Sequence, residues 1–171
     1  SPQQGKACRN CPSCNRAAKN IHPDLHFLLP LAGAKSLTEE YLGPWREAIS
    51  TNPWLDVFQW TQFCEVEGKQ VDIHKEDIQH VTADLSLQAF EGGNKVLVIW
   101  MAQFLAREGN RLLKMIEEPP EQTYFILVTN QREQVLPTIR SRCMQLYFPP
   151  MEQDEILRLL VEEYKVDRNA A

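Results

Sequence analysis

Two apolar segments, KVLVIW at residues 95–100 and TYFILVT at 123–129, constrain the fold of this chain more than any other feature. Both are continuous runs rich in β-branched and aromatic residues, which is typical of strands buried on both faces of a sheet. Residues 107–117, between them, are predicted to form a helix that stops before Pro119 and Pro120. Strands that alternate with helices indicate an α/β fold with a parallel sheet and crossover connections.

The other elements follow from periodicity and from the positions of prolines. Alternating apolar residues predict a strand, apolar residues at helical spacing predict a helix, and proline favours the first turn of a helix. The predicted elements are a strand at 25–29, helices beginning at Pro44 and at Pro53, a helix at 75–87, a short helix with Pro137 in its first turn, a strand at 144–148 and a helix at 153–164.

Two adjacent prolines, Pro149 and Pro150, divide the chain into two regions. Residues 1–148 are expected to form the α/β domain, and residues 149–171 are expected to begin a smaller helical domain. The chain begins at Ser1 without a methionine and stops soon after its last predicted helix, so we expect it to be a piece of a longer protein.

The composition excludes several classes of function. The net charge of −5 and the sequence pI of about 5.4 argue against a protein that holds nucleic acid by its own basic surface. No apolar run approaches the roughly 18 residues of a membrane span, and no signal peptide is visible. Five cysteines are an odd count without a secretory signal, which indicates reduced thiols and a cytoplasmic protein.

A cysteine knuckle near the start of the chain carries the strongest motif. Cys8, Cys11 and Cys14 follow a Cys-x2-Cys-x2-Cys pattern that brings three thiolates within reach of one ion, and zinc prefers four such ligands in a tetrahedron. The fourth ligand is expected upstream of the first residue, with His22 and His26 as alternatives. The competing interpretation is three reduced thiols in a mobile turn.

The signatures of a nucleotide hydrolase are missing from two expected places. LAGAKS fails as a phosphate loop because Gly33 is separated from Lys35 by one residue and no earlier glycine has the right spacing, so Lys35 is interpreted as a solvated loop residue. After the strand KVLVI, such an enzyme would place Asp or Glu to hold magnesium, whereas this chain has Trp100 and Met101. The four histidines receive no catalytic role.

Arg140 and Arg142 are the remaining candidates, in the segment TIRSRC. Isolated arginines are usually solvated surface residues. Arg142, however, follows a short helix that begins just past the carboxyl end of a buried strand, the edge of an α/β sheet where ligands bind. A guanidinium at that place can reach a phosphate held by a neighbouring subunit, as an arginine finger does.

Several motifs together resemble one family. GGNKVLVIW, NRLLKMIEEPPEQTYFILVTN and VLPTIRSRC, in this order, resemble the AAA+ module of bacterial DNA polymerase III clamp-loader subunits, and ACRNCPSC is similar to the zinc module of that family. HPDLHFLLP and the substitution at Trp100 are most similar to the delta-prime branch, of the Bacteroidetes type. The resemblance implies a partial AAA+ (P-loop NTPase-like) sheet with flanking helices, a zinc module at 8–14 and the start of a helical lid domain.

The resemblance also implies roles for individual residues. Arg142 corresponds to the Ser-Arg-Cys arginine that completes the ATP site of the adjacent gamma or tau subunit, and Thr129 or Asn130 corresponds to the sensor-one position. Four cysteines form the zinc module of the family, so the first of them would precede this chain, as would the P-loop strand that is normally central in the sheet. The implied partners are the gamma or tau and delta subunits and, through the complex, the sliding clamp and primed DNA.

Three hypotheses therefore compete. The leading one is a subunit of the polymerase III holoenzyme that does not hydrolyse ATP and acts on ATP held by its neighbour, with structural zinc. The second is a gamma or tau type ATPase subunit, which Trp100 and Met101 disfavour. The third is a zinc-stabilised adaptor that binds protein partners through the aromatic residues at 54–60.

Overall fold

The fold is known from a computed structural model that describes residues 7–33, 37–66, 68–162 and 164–165. Lys35, which the sequence predicts to be a solvated loop residue, lies outside these residues. Within them, no helix has the length and apolar character needed to cross a lipid bilayer.

A parallel sheet forms the centre of the fold, as the alternation of strands and helices predicts. Its strand order is β1-β4-β5, and a separate antiparallel pair is formed by β2 and β3. The five strands are β1 (Leu25–Leu28), β2 (Leu31–Ala32), β3 (Val71–Asp72), β4 (Lys95–Ile99) and β5 (Thr123–Leu127).

Helices flank the sheet, so the prediction of a mixed α/β fold with a parallel sheet is confirmed. The α-helices are α1 (Pro12–Ala18), α2 (Thr38–Thr51), α3 (Val57–Phe63), α4 (Lys75–Ser86), α5 (Leu113–Glu117), α6 (Pro137–Arg140) and α7 (Gln153–Glu162), and 3-10 helices occupy Ala102–Leu112 and Arg132–Gln134. Helices α4, α6 and α7 lie where the sequence predicts them. The division of the chain at residues 148 and 149 stays a prediction.

Two apolar clusters bury the two faces of the sheet. In β4, Leu97 and Ile99 point into the first cluster, where α4, α6 and the long 3-10 helix pack. The second cluster contains Phe27 from β1 and three tryptophans supplied by α2, α3 and the end of β4. Burial of both faces explains why β4 is a continuous apolar run, whereas Tyr124 and Ile126 leave one face of β5 about half exposed.

Two helix starts predicted from prolines are wrong. Helix α2 begins at Thr38 and contains Pro44, which the preceding Gly43 accommodates because it has no Cβ to meet the proline ring. Helix α3 begins after Pro53, because a capping box between Asp56 and Gln59 satisfies its first amides. The position of a proline therefore does not by itself define where either helix begins.

The helix predicted at 107–117 is also largely wrong. Only Leu113–Glu117 is α-helical, and a 3-10 helix with a kink at Ala106 precedes it. The amide of Ala102 donates to the carbonyl of Val128 over 2.8 Å, and the carbonyl of Phe104 accepts from the amide of Ile73 over 3.0 Å. These bonds and the non-helical backbone of Ala106 fix the chain just before residue 107, so no α-helical ladder starts there.

Residues 144–148 do not form the predicted strand. The segment pairs with no strand among the described residues, and Met144, Leu146, Tyr147 and Phe148 are exposed. Its strand-forming pattern is real, but a strand needs a neighbour with free backbone groups in register, and no such neighbour lies beside it in the described part of the chain.

Candidate functional site

The first part of the candidate site is the carboxyl end of β4. Trp100 and Met101 follow the strand directly and are buried, with 9% and 6% of their surface exposed. Trp100 packs edge-on against Trp45 and Trp60, with ring centroids 6.4 and 6.3 Å apart. This position is therefore part of the apolar core, and neither side chain offers an oxygen ligand for a hard cation.

A neutral hydrogen-bond network occupies the ends of β4 and β5. The hydroxyl of Thr129 donates to Oε1 of Gln103 over 2.7 Å, and Nε2 of Gln103 donates to Oδ1 of Asn130 over 2.7 Å. The structure thus joins the two residues at the expected sensor-one position through an amide that the sequence analysis missed. Gln103 is 7% exposed. Glutamine is usually exposed, so no pattern in the sequence predicts that this one is buried.

Arg142 lies just beyond α6 with an exposed side chain. Its Nε pairs with the Glu117 carboxylate, and its Nη1 donates to the carbonyl of Thr138 over 2.8 Å and to the hydroxyl of Ser141 over 3.3 Å. No hydrogen bond within the described residues engages its Nη2. The guanidinium is therefore oriented from one side and open to an external acceptor on the other.

Helix α6, which precedes Arg142, is packed firmly against the core. Pro137 occupies its first turn, and Ile139 is buried to 1% exposure in the first apolar cluster. A Cβ at Gly109 would lie 2.9 Å from the end of the Ile139 side chain, so the absence of a side chain there permits the close approach of α6. Arg140 is less accessible than Arg142, because its Nη1 bonds to Glu133 over 2.9 Å and only 22% of its side chain is exposed.

The cysteine knuckle forms a compact thiol cluster. The sulfurs of Cys8, Cys11 and Cys14 all lie within 4.8 Å of one another, and those of Cys8 and Cys14 are 3.7 Å apart. Around a tetrahedral zinc ion with bonds of about 2.3 Å, sulfur atoms are separated by about 3.8 Å. The three thiols can therefore hold a metal ion, and the donor set fits zinc.

Backbone hydrogen bonds lower the pKa of one of these three thiols. Hydrogen bonds from the backbone of Asn10 and Cys11 lower the pKa of Cys8 to about 6, which favours the thiolate that metals bind. For Cys14, a backbone hydrogen bond at Arg9 lowers the pKa, but contacts with the Cys11 and Cys8 thiols outweigh it and leave the pKa raised.

The two histidines considered as a fourth ligand lie outside the thiol cluster. Nδ1 of His22 accepts from the Asp24 amide over 3.1 Å, and its Nε2 lies 2.8 Å from the Ser13 hydroxyl and 3.1 Å from a Glu91 oxygen. Both ring nitrogens of His22 are thus engaged. His26 belongs to β1 and lines a different cavity.

Glu91 attaches the knuckle to the sheet domain. Its carboxylate pairs with Arg16 of α1 and with His22, and its backbone amide donates to Asp24 over 3.0 Å. The second Asp24 oxygen accepts from the amide of Phe90 over 2.6 Å. Asp24 itself is 4% exposed and directly precedes β1, so the thiol cluster is tied to the sheet through a buried carboxylate.

Thiol reactivity should follow these environments. In metal-free protein at neutral pH, iodoacetamide is expected to modify Cys8 first and Cys64 last, because burial raises the pKa of Cys64 to about 11 and the thiolate is the nucleophile. Added Zn²⁺ is expected to protect the three knuckle cysteines and to leave Cys143 unaffected as an internal control. Mass spectrometry of the peptides measures both effects, and equal rates at Cys8 and Cys64 would contradict the assignment.

The aromatic residues at 54–60 divide into two groups. Trp60 is buried in the second apolar cluster, whereas 56% of Trp54 and 62% of Phe58 are exposed. The indole of Trp54 donates to the hydroxyl of Tyr164 over 2.9 Å, beyond the end of α7. The region therefore contributes partly to the core and partly to an exposed surface.

Comparison with known proteins points to one family. The family model described as DNA polymerase III, delta subunit matches residues 1–152. DNA polymerase III subunit delta' of Escherichia coli (strain K12) is 29% identical over 170 residues, which are 99% of this chain and 40% of that protein. The subunit delta' of Bacillus subtilis (strain 168) is 29% identical over 157 residues, 91% of this chain and 36% of that protein.

Two further similarities involve gamma subunits. DNA polymerase III subunit gamma of Buchnera aphidicola subsp. Baizongia pistaciae is 36% identical over 120 residues, 64% of this chain and 32% of that protein. A solved structure of a gamma subunit-related protein from Thermotoga maritima aligns with a TM-score of 0.46 at 24% identity, over 54% of this chain and 32% of that one. The chain spans 40% or less of the length of these curated relatives.

Proposed function

The chain belongs to the family described as DNA polymerase III, delta subunit, and from this premise we propose that it is part of a clamp-loader subunit of the delta-prime type. In this proposal the subunit does not hydrolyse ATP. It supplies Arg142 to the ATP site of a neighbouring gamma or tau subunit while the sliding clamp is loaded onto primed DNA.

The placement of Arg142 is the observation that carries the proposal. A trans-acting arginine must be exposed, charged and held at a fixed distance from its own domain, and Arg142 follows a helix anchored by the buried Ile139. The guanidinium is always protonated and can bind phosphate oxygens in a bidentate way. There it stabilises the charge that develops on the transferring phosphoryl group.

The ion pair with Glu117 suits a residue that must change partners. About 37% of the Arg142 side chain and 43% of the Glu117 side chain are exposed. Such pairs contribute roughly 0–1 kcal/mol because water solvates both charges well. Arg142 can therefore leave Glu117 at small cost and turn towards a phosphate on an adjacent subunit.

The end of β4 supports the proposal that ATP is held and hydrolysed elsewhere. Buried Trp100 and Met101 stand where a hydrolase would place magnesium-binding carboxylates, and Gln103 engages Thr129 and Asn130 at the sensor-one position. The net charge of −5 likewise favours contact with DNA mainly through other subunits. We propose the delta subunit as a further partner and the cytoplasm as the location.

The remaining assignments complete the proposed architecture. Residues 1–148 are a partial AAA+ domain with the zinc module at 8–14, and residues 149–171 begin the helical lid domain. Zinc would be held by Cys8, Cys11 and Cys14 with a fourth cysteine upstream. A closed site of this kind has a structural role, since it leaves no position open for water.

Reconstitution tests the proposal. Full-length protein is expected to co-purify with the gamma or tau and delta subunits and, when isolated, to show no ATP hydrolysis above background. Hydrolysis by the isolated protein would favour the ATPase-subunit hypothesis instead. Capture of unrelated proteins, with loss of that capture in a Trp54→Ala, Phe58→Ala variant, would favour the adaptor hypothesis.

A further inference from the structure

A small cavity between β1, α2 and α4 concentrates negative charge. Its lining includes the carboxylates of Glu39, Asp77 and Asp84 and the imidazoles of His26 and His80, and among the described residues it includes no lysine or arginine. Three carboxylates without a permanent cation repel one another, so the cavity favours a positive ligand.

Three of these side chains already have the spacing of metal ligands. Nδ1 of His80 lies 3.7 Å from Oε1 of Glu39 and 3.8 Å from Oδ2 of Asp84, and all three ligand atoms lie within 4.8 Å of one another. Around a tetrahedral zinc ion, nitrogen and oxygen ligands at about 2.1 Å are separated by about 3.4 Å. Small rotations of these side chains would shorten the observed distances to the value expected around zinc.

A second observation in the same cavity is independent of that spacing. Asp77 is 4% exposed, and its Oδ1 accepts from the amide of Thr38 over 2.7 Å. Its Oδ2 is buried without a hydrogen-bond partner in the described residues. A buried carboxylate oxygen without a partner is costly, and a cation in the cavity would remove that cost directly or through a bound water.

We propose that Glu39, His80 and Asp84 form a second metal site, separate from the cysteine knuckle, which takes a divalent transition-metal ion of the zinc type. One imidazole and two carboxylates suit such an ion better than calcium or magnesium, which prefer oxygen ligands alone. The ion would link the first turn of α2 to α4, in the cavity that Asp77 also lines. The proposal does not depend on the assignment of Arg142.

Zinc stoichiometry tests this site independently of zinc held by the cysteines. After dialysis of full-length protein against a fixed free Zn²⁺ concentration, His80→Asn and Asp84→Asn are each expected to hold one zinc ion fewer per chain than the wild type. Glu76→Gln is the matched control, because it removes an exposed carboxylate from the same helix and should leave the count unchanged. Equal stoichiometry in all four proteins would overturn the proposal.

Nuclear magnetic resonance of the wild type gives a second test that needs no variant. Zn²⁺ added beyond the amount that saturates the cysteine knuckle is expected to shift the ring signals of His80 and the amide signals of Glu39 and Asp84. The ring signals of His74, which lies outside the cluster, should stay in place. If zinc shifts only signals from the cysteine knuckle, the carboxylate and histidine cluster is a group of surface ion pairs and the proposal fails.

Discussion

Replacement of Arg142 by alanine is expected to lower DNA-stimulated ATP hydrolysis at the neighbouring ATP site of a reconstituted clamp loader by about 10³-fold to 10⁵-fold. The reason is that the guanidinium would no longer stabilise charge on the phosphoryl group in the neighbouring site. Because Arg142 is exposed and pairs only with surface groups, the fold and the assembly of the complex should be preserved. Steady-state hydrolysis and gel filtration of the full-length complex measure the two quantities.

Three control variants distinguish a finger from general loss of charge. Arg132→Ala removes a more exposed arginine from the nearby 3-10 helix and should leave hydrolysis unchanged. Arg142→Lys keeps the charge but loses bidentate geometry, so it should recover only part of the rate. Glu117→Gln removes the surface ion partner and should have a small effect. A normal rate with Arg142→Ala would show that Arg142 is only a surface residue.

The sheet could be predicted because apolar strands leave a simple signature in the local sequence. Strands β4 and β5 are short continuous apolar runs, and the helix after β5 begins at Pro137 as expected. The thiol cluster could also be predicted, since the spacing of Cys8, Cys11 and Cys14 alone brings their sulfurs together. In each case the information lies within a few consecutive residues.

What could not be predicted depends on contacts between distant residues. The 3-10 segment before the kink at Ala106 is held by backbone bonds to Val128, just after β5, and to Ile73, just after β3. Gln103 and Lys95 are polar residues of types that are rarely buried, and each is buried beside partners that are distant in the sequence. The Lys95 ammonium, for example, donates to the carbonyls of Leu85 and Leu87 at the end of α4. Such pairings leave no trace in local periodicity.

Residues 144–148 show that a local pattern can also predict an element that does not form. Their pattern has the local properties of a strand, yet β5 is the last strand in the order of the sheet and no pairing joins the two. Tyr124 and Ile126 on β5 are likewise about half exposed. A strand-forming pattern is therefore not sufficient for a strand, because a neighbour with free backbone groups must also lie beside it.

Asp24→Ala is expected to lower the free energy of unfolding by about 3 kcal/mol, since hydrogen bonds to a charged group contribute roughly 1.5–3 kcal/mol each. The variant leaves the amides of Phe90 and Glu91 without their carboxylate acceptor. It also loosens Glu91, whose carboxylate holds Arg16 of the cysteine knuckle. Urea denaturation measures the loss, and faster hydrogen exchange at Phe90 and Glu91 locates it.

Two comparisons show whether the loss comes from this specific acceptor. Asp24→Asn keeps one carbonyl oxygen and removes the charge, so it should cost about half as much as alanine. Asp154→Ala removes an exposed carboxylate from the first turn of α7 and should change stability by less than about 0.5 kcal/mol. If Asp24→Ala costs no more than Asp154→Ala, the buried carboxylate does not join the knuckle to the sheet, and Arg16 and His22 must hold it in another way.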